Sequence, residues 1–262
     1  MNCIIQSMVN KSSINKENFS ELKERTAKKR EAINSQDESL ADTRLLKTFA
    51  IENNLKDATV ELFFEEVLIL QHFFMETQDQ KHLQEMKRAV NQADKYIKEN
   101  SLTHWESRLA RFNGRVSDYE KKYSEAAQYY QEAIAKVSLD PKYSENKAMG
   151  LEYEGFLIID KLLLGNSDAV SEAEKLYRDY LDTEEGRNLK IRDYTTWAIW
   201  RSGVLINLCR TLIDLNKTKD YRDKIQEWLK LTETDLRAPA GVQVWSDFGF
   251  RKNEIIKIRE SI

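Results

Sequence analysis

The sequence contains few of the residues that most often interrupt helices. Its 262 residues include eight glycines and two prolines, where average usage of about 7% and 5% would give about 18 and 13. Glycine supplies unusual backbone conformations at turns, and proline breaks the hydrogen bonding inside a helix. Their scarcity therefore predicts an all-α fold of long helices joined by few turns.

Cysteine and histidine are scarce as well, and this bears on disulfides, metals and catalysis. Cys3 and Cys209 are the only cysteines, too few and too far apart for a disulfide framework or a zinc site. His72, His82 and His104 show no metal-binding spacing, and the sequence has neither a Walker loop nor a GxGxxG motif. We therefore expect a protein that is not an enzyme and that binds no cofactor and no metal. A catalytic site assembled from scattered carboxylates is the alternative.

Neither an excess of one charge nor a long apolar run is present. The 41 basic and 44 acidic side chains give a formal net charge of -3, which argues against a nucleic-acid partner because phosphate binding needs a concentrated positive surface. The most apolar segment, 60–75, is too short to cross a bilayer and predicts a buried helix. Residues 1–19 lack the features of a signal peptide. We therefore expect a cytoplasmic protein with no membrane partner.

Changes of pattern divide the chain into four stretches. Residues 1–15 are polar and lack a period, which predicts a flexible N-terminal arm. Residues 16–56 carry thin apolar stripes and predict an N-terminal helical cap. Residues 57–234 repeat the order helix, short polar turn, helix. After an interruption at Pro239, residues 235–262 predict a C-terminal capping helix.

Turn and cap residues indicate where the paired helices begin and end. The polar residues 77–80 predict a turn between two helices. Asp140-Pro141 places a good N-cap residue before a proline, the order typical of a helix start, so we expect a new helix there. Glu185-Gly186 predicts a break before a later pair.

The helical pairs contain an imperfect internal repeat. Gly114, Gly155 and Gly203 each lie in the first helix of a pair, 41 and 48 residues apart. The unit over 102–141 also carries the segment YSEAAQYYQEAI at 123–134, which is rich in alanine and tyrosine. This unit resembles a tetratricopeptide repeat, and the resemblance implies antiparallel helical hairpins stacked as an α-solenoid. An ordinary helical bundle is the alternative.

Three arginines of the best-matching unit suggest a binding surface. Arg108, Arg111 and Arg115 share one helical face beside aromatic residues, which suits an acidic segment or a C-terminal carboxylate of a partner. In the resembled family the first helices line a concave groove. The resemblance therefore implies a peptide-binding surface formed by Arg108, Arg111, Phe112, Arg115, Tyr119, Glu152, Tyr153, Phe156, Trp200, Arg201 and Asn207. As alternatives, the arginines pair with neighbours such as Asp118 and Glu106, and Trp200 packs in the core.

These observations lead to two functional hypotheses. The first is a non-catalytic scaffold or adaptor that binds a protein or peptide in a concave helical groove. The second is a peptide-responsive signalling regulator, in which the N-terminal helices at about 16–54 act on a partner while the repeats sense a peptide. The second hypothesis rests on analogy of fold alone.

Overall fold

The computed structural model describes residues 13–32 and 35–262. Within these ranges the chain forms twelve α-helices and no β-strand, so the all-α prediction is confirmed. The described residues belong to two compact units, which divide between Thr103 and His104. None of the described helices combines the length and the apolar character that a membrane span requires.

The first unit contains four helices, each of which packs against the next in chain order. They are α1 (Phe19–Glu31), α2 (Gln36–Glu52), α3 (Lys56–Thr77) and α4 (Gln80–Glu99). The apolar segment 60–75 lies within α3, and most of its apolar side chains are buried, as predicted. The turn predicted at 77–80 is also observed, with Gln78 in the left-handed region at φ 55°.

The predicted N-terminal arm is described only in part, since residues 1–12 lie outside the described ranges. In the remaining part of the arm, Ile14 is buried in a core cluster with Phe19 and Leu46. The predicted cap at 16–56 corresponds to α1 and α2. The predicted boundary at residue 56 falls inside the first unit, because α3 packs against α2 in the same unit.

The second unit is organised around α10. Its helices are α5 (Glu106–Tyr119), α6 (Tyr123–Lys136), α7 (Met149–Leu163), α8 (Ala169–Asp182), α9 (Glu184–Arg192), α10 (Tyr194–Asp214), α11 (Thr218–Asp235) and α12 (Gly249–Glu260). The pairs α5 with α6, α7 with α8 and α10 with α11 pack together, and α10 also contacts α7, α8, α9 and α12. Most residues of α10 are consequently buried.

The prediction that a helix begins at Pro141 is wrong, because α7 begins only at Met149. The carboxylate of Asp140 does not cap a helix. Its Oδ1 atom accepts a hydrogen bond from the backbone N–H of Lys142 at 2.9 Å, and both carboxylate oxygens accept from Arg108. The aspartate therefore holds a turn and an ion pair, although the Asp-Pro order is typical of a helix start.

The break predicted at Glu185-Gly186 is also wrong, because both residues lie inside α9. Thr183 caps this helix, and its hydroxyl accepts a hydrogen bond from the backbone N–H of Gly186 at 3.2 Å. A Cβ atom added to Gly186 would lie 2.5 Å from the carbonyl oxygen of Tyr180. The glycine is therefore needed for the close approach of α9 to the end of α8.

The three repeated glycines mark three different kinds of contact. A Cβ atom at Gly114 would lie 2.7 Å from the ring of Tyr130, so α5 approaches α6 directly over this ring. At Gly155 an added Cβ would make only ordinary van der Waals contacts. At Gly203 it would lie 3.3 Å from Nη2 of Arg251, so this glycine makes room for a charged side chain of α12.

Candidate functional site

Two of the three arginines of α5 pair with acids that lie far away in the sequence. Arg108 donates two hydrogen bonds to Asp140, at 2.7 Å from Nε and 3.0 Å from Nη2. Arg111 donates from Nη2 to Oε1 of Glu152 at 2.8 Å, and only 5% of Arg111 is exposed. These ion pairs connect α5 to the turn that follows α6 and to α7.

The third arginine of α5 pairs within its own helix. Arg115 donates from Nη1 to Oδ2 of Asp118 at 3.0 Å and from Nη2 to the hydroxyl of Tyr119 at 2.7 Å. The alternative prediction, that these arginines pair with nearby acids such as Asp118, is therefore confirmed for Arg115. The other acid considered, Glu106, pairs with Lys136 instead.

Aromatic rings cover the guanidinium groups of α5. The Cζ atom of Arg111 lies 4.4 Å from the ring centre of Phe112 and 5.1 Å from that of Phe156. The Cζ atom of Arg115 lies 4.9 Å from the ring of Tyr119 and 4.6 Å from that of Phe156. Rings and acids of their own unit therefore surround Arg111 and Arg115, and neither guanidinium lies open on the surface. A direct contact with a partner stays a prediction.

A pair of carboxyl groups joins the end of α5 to α7. Asp118 accepts hydrogen bonds from Arg115 and from the hydroxyl of Tyr130, at 3.0 and 2.6 Å. Burial raises the pKa of the Asp160 carboxyl to about 10, and a hydrogen bond to Asp118 and its charge add to this effect. This raised pKa keeps the Asp118–Asp160 pair singly protonated at neutral pH, because two adjacent carboxylates repel each other. The only sequence signal was a single acid within the largely apolar stretch 156–164.

A small pocket of about 30 Å³ lies between α7 and α10. It contains four of the predicted peptide-binding residues, all half-buried: Glu152, Phe156, Trp200 and Asn207. The structure adds wall residues that sequence reasoning missed, namely Gly155, Tyr180, Gly203, Val204 and Arg251. Tyr180 comes from α8 and Arg251 from α12, so four helices form the site.

Two other predicted groove residues point away from this pocket. Tyr153 is 1% exposed and packs in a core cluster with Ala133. Arg201 forms a buried ion pair with Asp235, and its Cζ atom lies 3.7 Å from the ring centre of Tyr177. Each follows a pocket residue by one position, and one residue rotates a side chain by about 100° around a helix. The expectation that both face a groove is therefore wrong.

Charged side chains fasten α12 to α10 beside the pocket. Arg251 donates from Nη1 to Oε2 of Glu254 at 2.6 Å, and Arg210 pairs with the same glutamate. Burial alone would raise the pKa of Glu254, but the charges of Arg251 and Arg210 lower it below its ordinary value. Glu254 is therefore a carboxylate that holds Arg251 next to Gly203. The predicted C-terminal capping helix thus contributes to the site.

Comparisons with other proteins add no analogy to this geometry. No protein-family model matches the chain, and no curated protein and no solved structure matches it. Across residues 13–32 and 35–262, no three His, Cys, Asp or Glu side chains are grouped so that they could hold a metal ion. The site is therefore interpreted from its own residues.

Proposed function

We propose that this chain is a non-catalytic scaffold of tetratricopeptide-like helical hairpins that binds a protein or peptide in the cytoplasm. The pocket between α7 and α10 is the observation that carries this proposal. Each of these helices is the first of its hairpin, and each contributes two half-buried side chains: Glu152 and Phe156, and Trp200 and Asn207. Stacked hairpins that form a concave surface of this kind suit an extended peptide.

The size of the pocket favours one side chain of a partner over a small-molecule ligand. A volume of about 30 Å³ holds about two water molecules, because one water requires about 10–15 Å³ on this measure. Sites for small molecules and cofactors are typically about ten times larger. The tip of one peptide side chain would fill this space while the peptide backbone lies over the half-buried rim.

Two arginines of α5 contact residues that line this pocket. Arg111 holds Glu152 by an ion pair, and Phe156 lies against the guanidinium groups of Arg111 and Arg115. A partner carboxylate that bound these arginines directly would have to displace Glu152 or Asp118, which would leave a charge without its partner. We therefore propose recognition through the pocket, with the arginines fixing the position of α7.

Peptide selection on the purified chain tests the proposal. Peptides selected from a random library should lose at least about tenfold in affinity with Trp200→Ala, because truncating an aromatic hot-spot residue costs about 2 kcal/mol or more. Tyr129→Ala removes another half-buried aromatic side chain, on α6, and should leave affinity unchanged. Circular dichroism of both variants controls for folding. Selected peptides that bind the Trp200→Ala variant as tightly as the wild type would contradict the proposal.

A further inference from the structure

The wall of the α7–α10 pocket combines one hydrogen-bond acceptor with several donors. The acceptor is the carboxylate of Glu152 on α7. Its Oε1 atom accepts from Arg111, whereas its Oε2 atom accepts no hydrogen bond from a described residue. A carboxylate oxygen has two lone pairs, so Glu152 retains acceptor capacity toward a group that enters the pocket.

The hydroxyl of Tyr180 is the most informative donor in this wall. Tyr180 is fully buried, and its hydroxyl has no hydrogen-bond partner among the described residues. A buried hydroxyl without a partner costs free energy, and native proteins contain few such groups. Tyr180 is one of the residues that line the pocket, which suggests a physical reason: a ligand that accepts a hydrogen bond could satisfy this hydroxyl.

Two further donors come from α10 and α12. The side-chain amide of Asn207 lines the pocket and makes no hydrogen bond to a described residue. The guanidinium of Arg251 reaches the wall where Gly203 has no side chain. The pocket therefore offers a cation, an amide and a hydroxyl to an acceptor, and one carboxylate to a donor.

We propose that this pocket receives a carboxamide, the side chain of an asparagine or glutamine in the bound peptide. This inference rests on the proposed function. The amide carbonyl accepts from Tyr180, Asn207 or Arg251, and the amide NH₂ group donates to Glu152. The oxygen and nitrogen of a carboxamide match a space for about two water molecules, and the rings of Phe156 and Trp200 provide flat walls for this planar group.

Charged groups of similar size fit the same wall less well. A carboxylate brings a second negative charge to Glu152 and has no hydrogen to donate to it. An ammonium group brings a second positive charge to Arg251 and leaves the hydroxyl of Tyr180 without an acceptor. A neutral carboxamide can pair with both the donors and the acceptor of the wall. This favours it over the charged groups, because a buried polar group without a hydrogen bond costs free energy.

Acetamide and acetate provide a matched pair of probes for this inference. They have the same shape and differ in charge and in the NH₂ donor. In nuclear magnetic resonance titrations at constant ionic strength and neutral pH, acetamide should shift the Asn207 side-chain amide and the Trp200 indole signals saturably. Acetate should bind the wild type at least about tenfold more weakly.

Substitutions separate the pocket from general effects of the probe. Asn207→Ala should weaken acetamide binding about threefold or more, whereas Gln128→Ala, at an exposed amide on α6, should leave it unchanged. Glu152→Gln removes the negative charge while keeping the shape, so the preference for acetamide over acetate should fall. Thermal melts establish that each variant remains folded.

The outcomes distinguish this inference from the proposed function. Acetate binding as tightly as acetamide, or no saturable acetamide shift at the pocket signals, would overturn the carboxamide assignment. Peptide binding that still depends on Trp200 would then leave the proposed function standing. Conversely, acetamide binding that depends on Asn207, together with peptides insensitive to Trp200→Ala, would support the carboxamide site and overturn the peptide-binding role.

Discussion

The two units bring their helices together by different means. The first unit contains none of the eight glycines and neither of the two prolines, whereas the second contains all of them. Both units also place other residues in the left-handed region: Asn54, Gln78 and Ser101 in the first, at φ of 54°, 55° and 54°, and Lys121, Asn216 and Phe248 in the second. In the second unit Gly114 and Gly186 lie inside helices, where a side chain would clash with a neighbouring element. At these two positions glycine therefore allows close packing of helices and does not end a helix.

Both units contain ion pairs of different exposure. In the first unit three glutamates of α3 pair with basic residues of α1 and α2: Glu61 with Lys23, Glu65 with Arg30, and Glu66 with Arg44 and Lys47. The exposed fraction of these basic side chains ranges from 12% for Arg30 to 47% for Arg44, and Lys29 forms a buried pair with Asp42 in the same unit. In the second unit Arg111 and Arg115 are buried against aromatic rings. The exposure of a pair matters because an exposed ion pair contributes little to the free energy of unfolding, whereas a buried charge that loses its partner is costly.

The largest effect is expected from breaking the buried network of the second unit. Arg115→Ala should lower the free energy of unfolding by ~3–5 kcal/mol, because Asp118 then loses its cation in a buried setting. Lys23→Ala in the first unit, where the lysine side chain is 31% exposed, should cost only ~0–1 kcal/mol. Urea denaturation of both variants measures the difference. Equal losses would show that burial does not decide the cost of breaking these two ion pairs.

The shared proton of the second unit predicts a dependence of stability on pH. Burial raises the pKa of Asp160 from 3.8 to about 10, so the folded chain keeps a proton that the unfolded chain releases. The stabilisation from this proton is fully present below the unfolded pKa and is lost as the pH rises toward the folded pKa, by at most ~1.4 kcal/mol per pH unit. Asp160→Asn can donate to Asp118 without titrating.

The stability of Asp160→Asn relative to the wild type should therefore increase between about pH 5 and about pH 9. Thermal melts across this range measure the difference, and the substitution Asp168→Asn at an exposed position serves as the control. A difference that stays constant with pH would argue against the shared proton.

A smaller effect is expected from filling the helix contact of the second unit. Gly114→Ala should destabilise by ~1–3 kcal/mol, because the new methyl group would lie 2.7 Å from the ring of Tyr130. Gly150→Ala, in the first turn of α7, meets no atom within 4 Å and should stabilise by ~0.5–1 kcal/mol through helix propensity. Melting temperatures that change in the same direction would refute the assigned contact.

The smallest effect concerns the glycine-free turns of the first unit. Ser101→Gly should stabilise by about 0.5–1 kcal/mol, because φ of 54° is strained for serine and easy for glycine. Gln92→Gly at an exposed position inside α4 should instead cost about 1 kcal/mol. Guanidinium denaturation compares the two variants. A loss of stability in both would mean that the left-handed turn carries no measurable strain.

Sequence reasoning located most helices but misplaced two of their boundaries. The apolar stretch 60–75 and the polar residues 77–80 predicted α3 and the turn after it, because both signals depend on neighbouring residues. Pro141 and Gly186 are local signals too, but each led to a wrong prediction. Their local preferences suggested a helix start and a break, but Arg108 and the backbone of Tyr180 determine their actual surroundings.

The candidate site was also predicted only in part. Glu152, Phe156, Trp200 and Asn207 were identified through the resemblance to helical repeats, and the structure brings all four to one pocket. Tyr180 and Arg251 were missed, and no residue spacing could have connected them to that pocket. Their contribution depends on how α8 and α12 pack against α10.

The sequence by itself determined the helical class and most helix positions, and it marked Gly114 as a small residue at a helix contact. Periodicity, glycine and proline act over a few neighbouring residues, so their effects can be read along the chain. Only the tertiary structure decided which charges are compensated. Arg111 and Glu152 are 41 residues apart in sequence yet 2.8 Å apart in space. Electrostatic energy depends on such distances and on burial, and both arise only when the helices have packed.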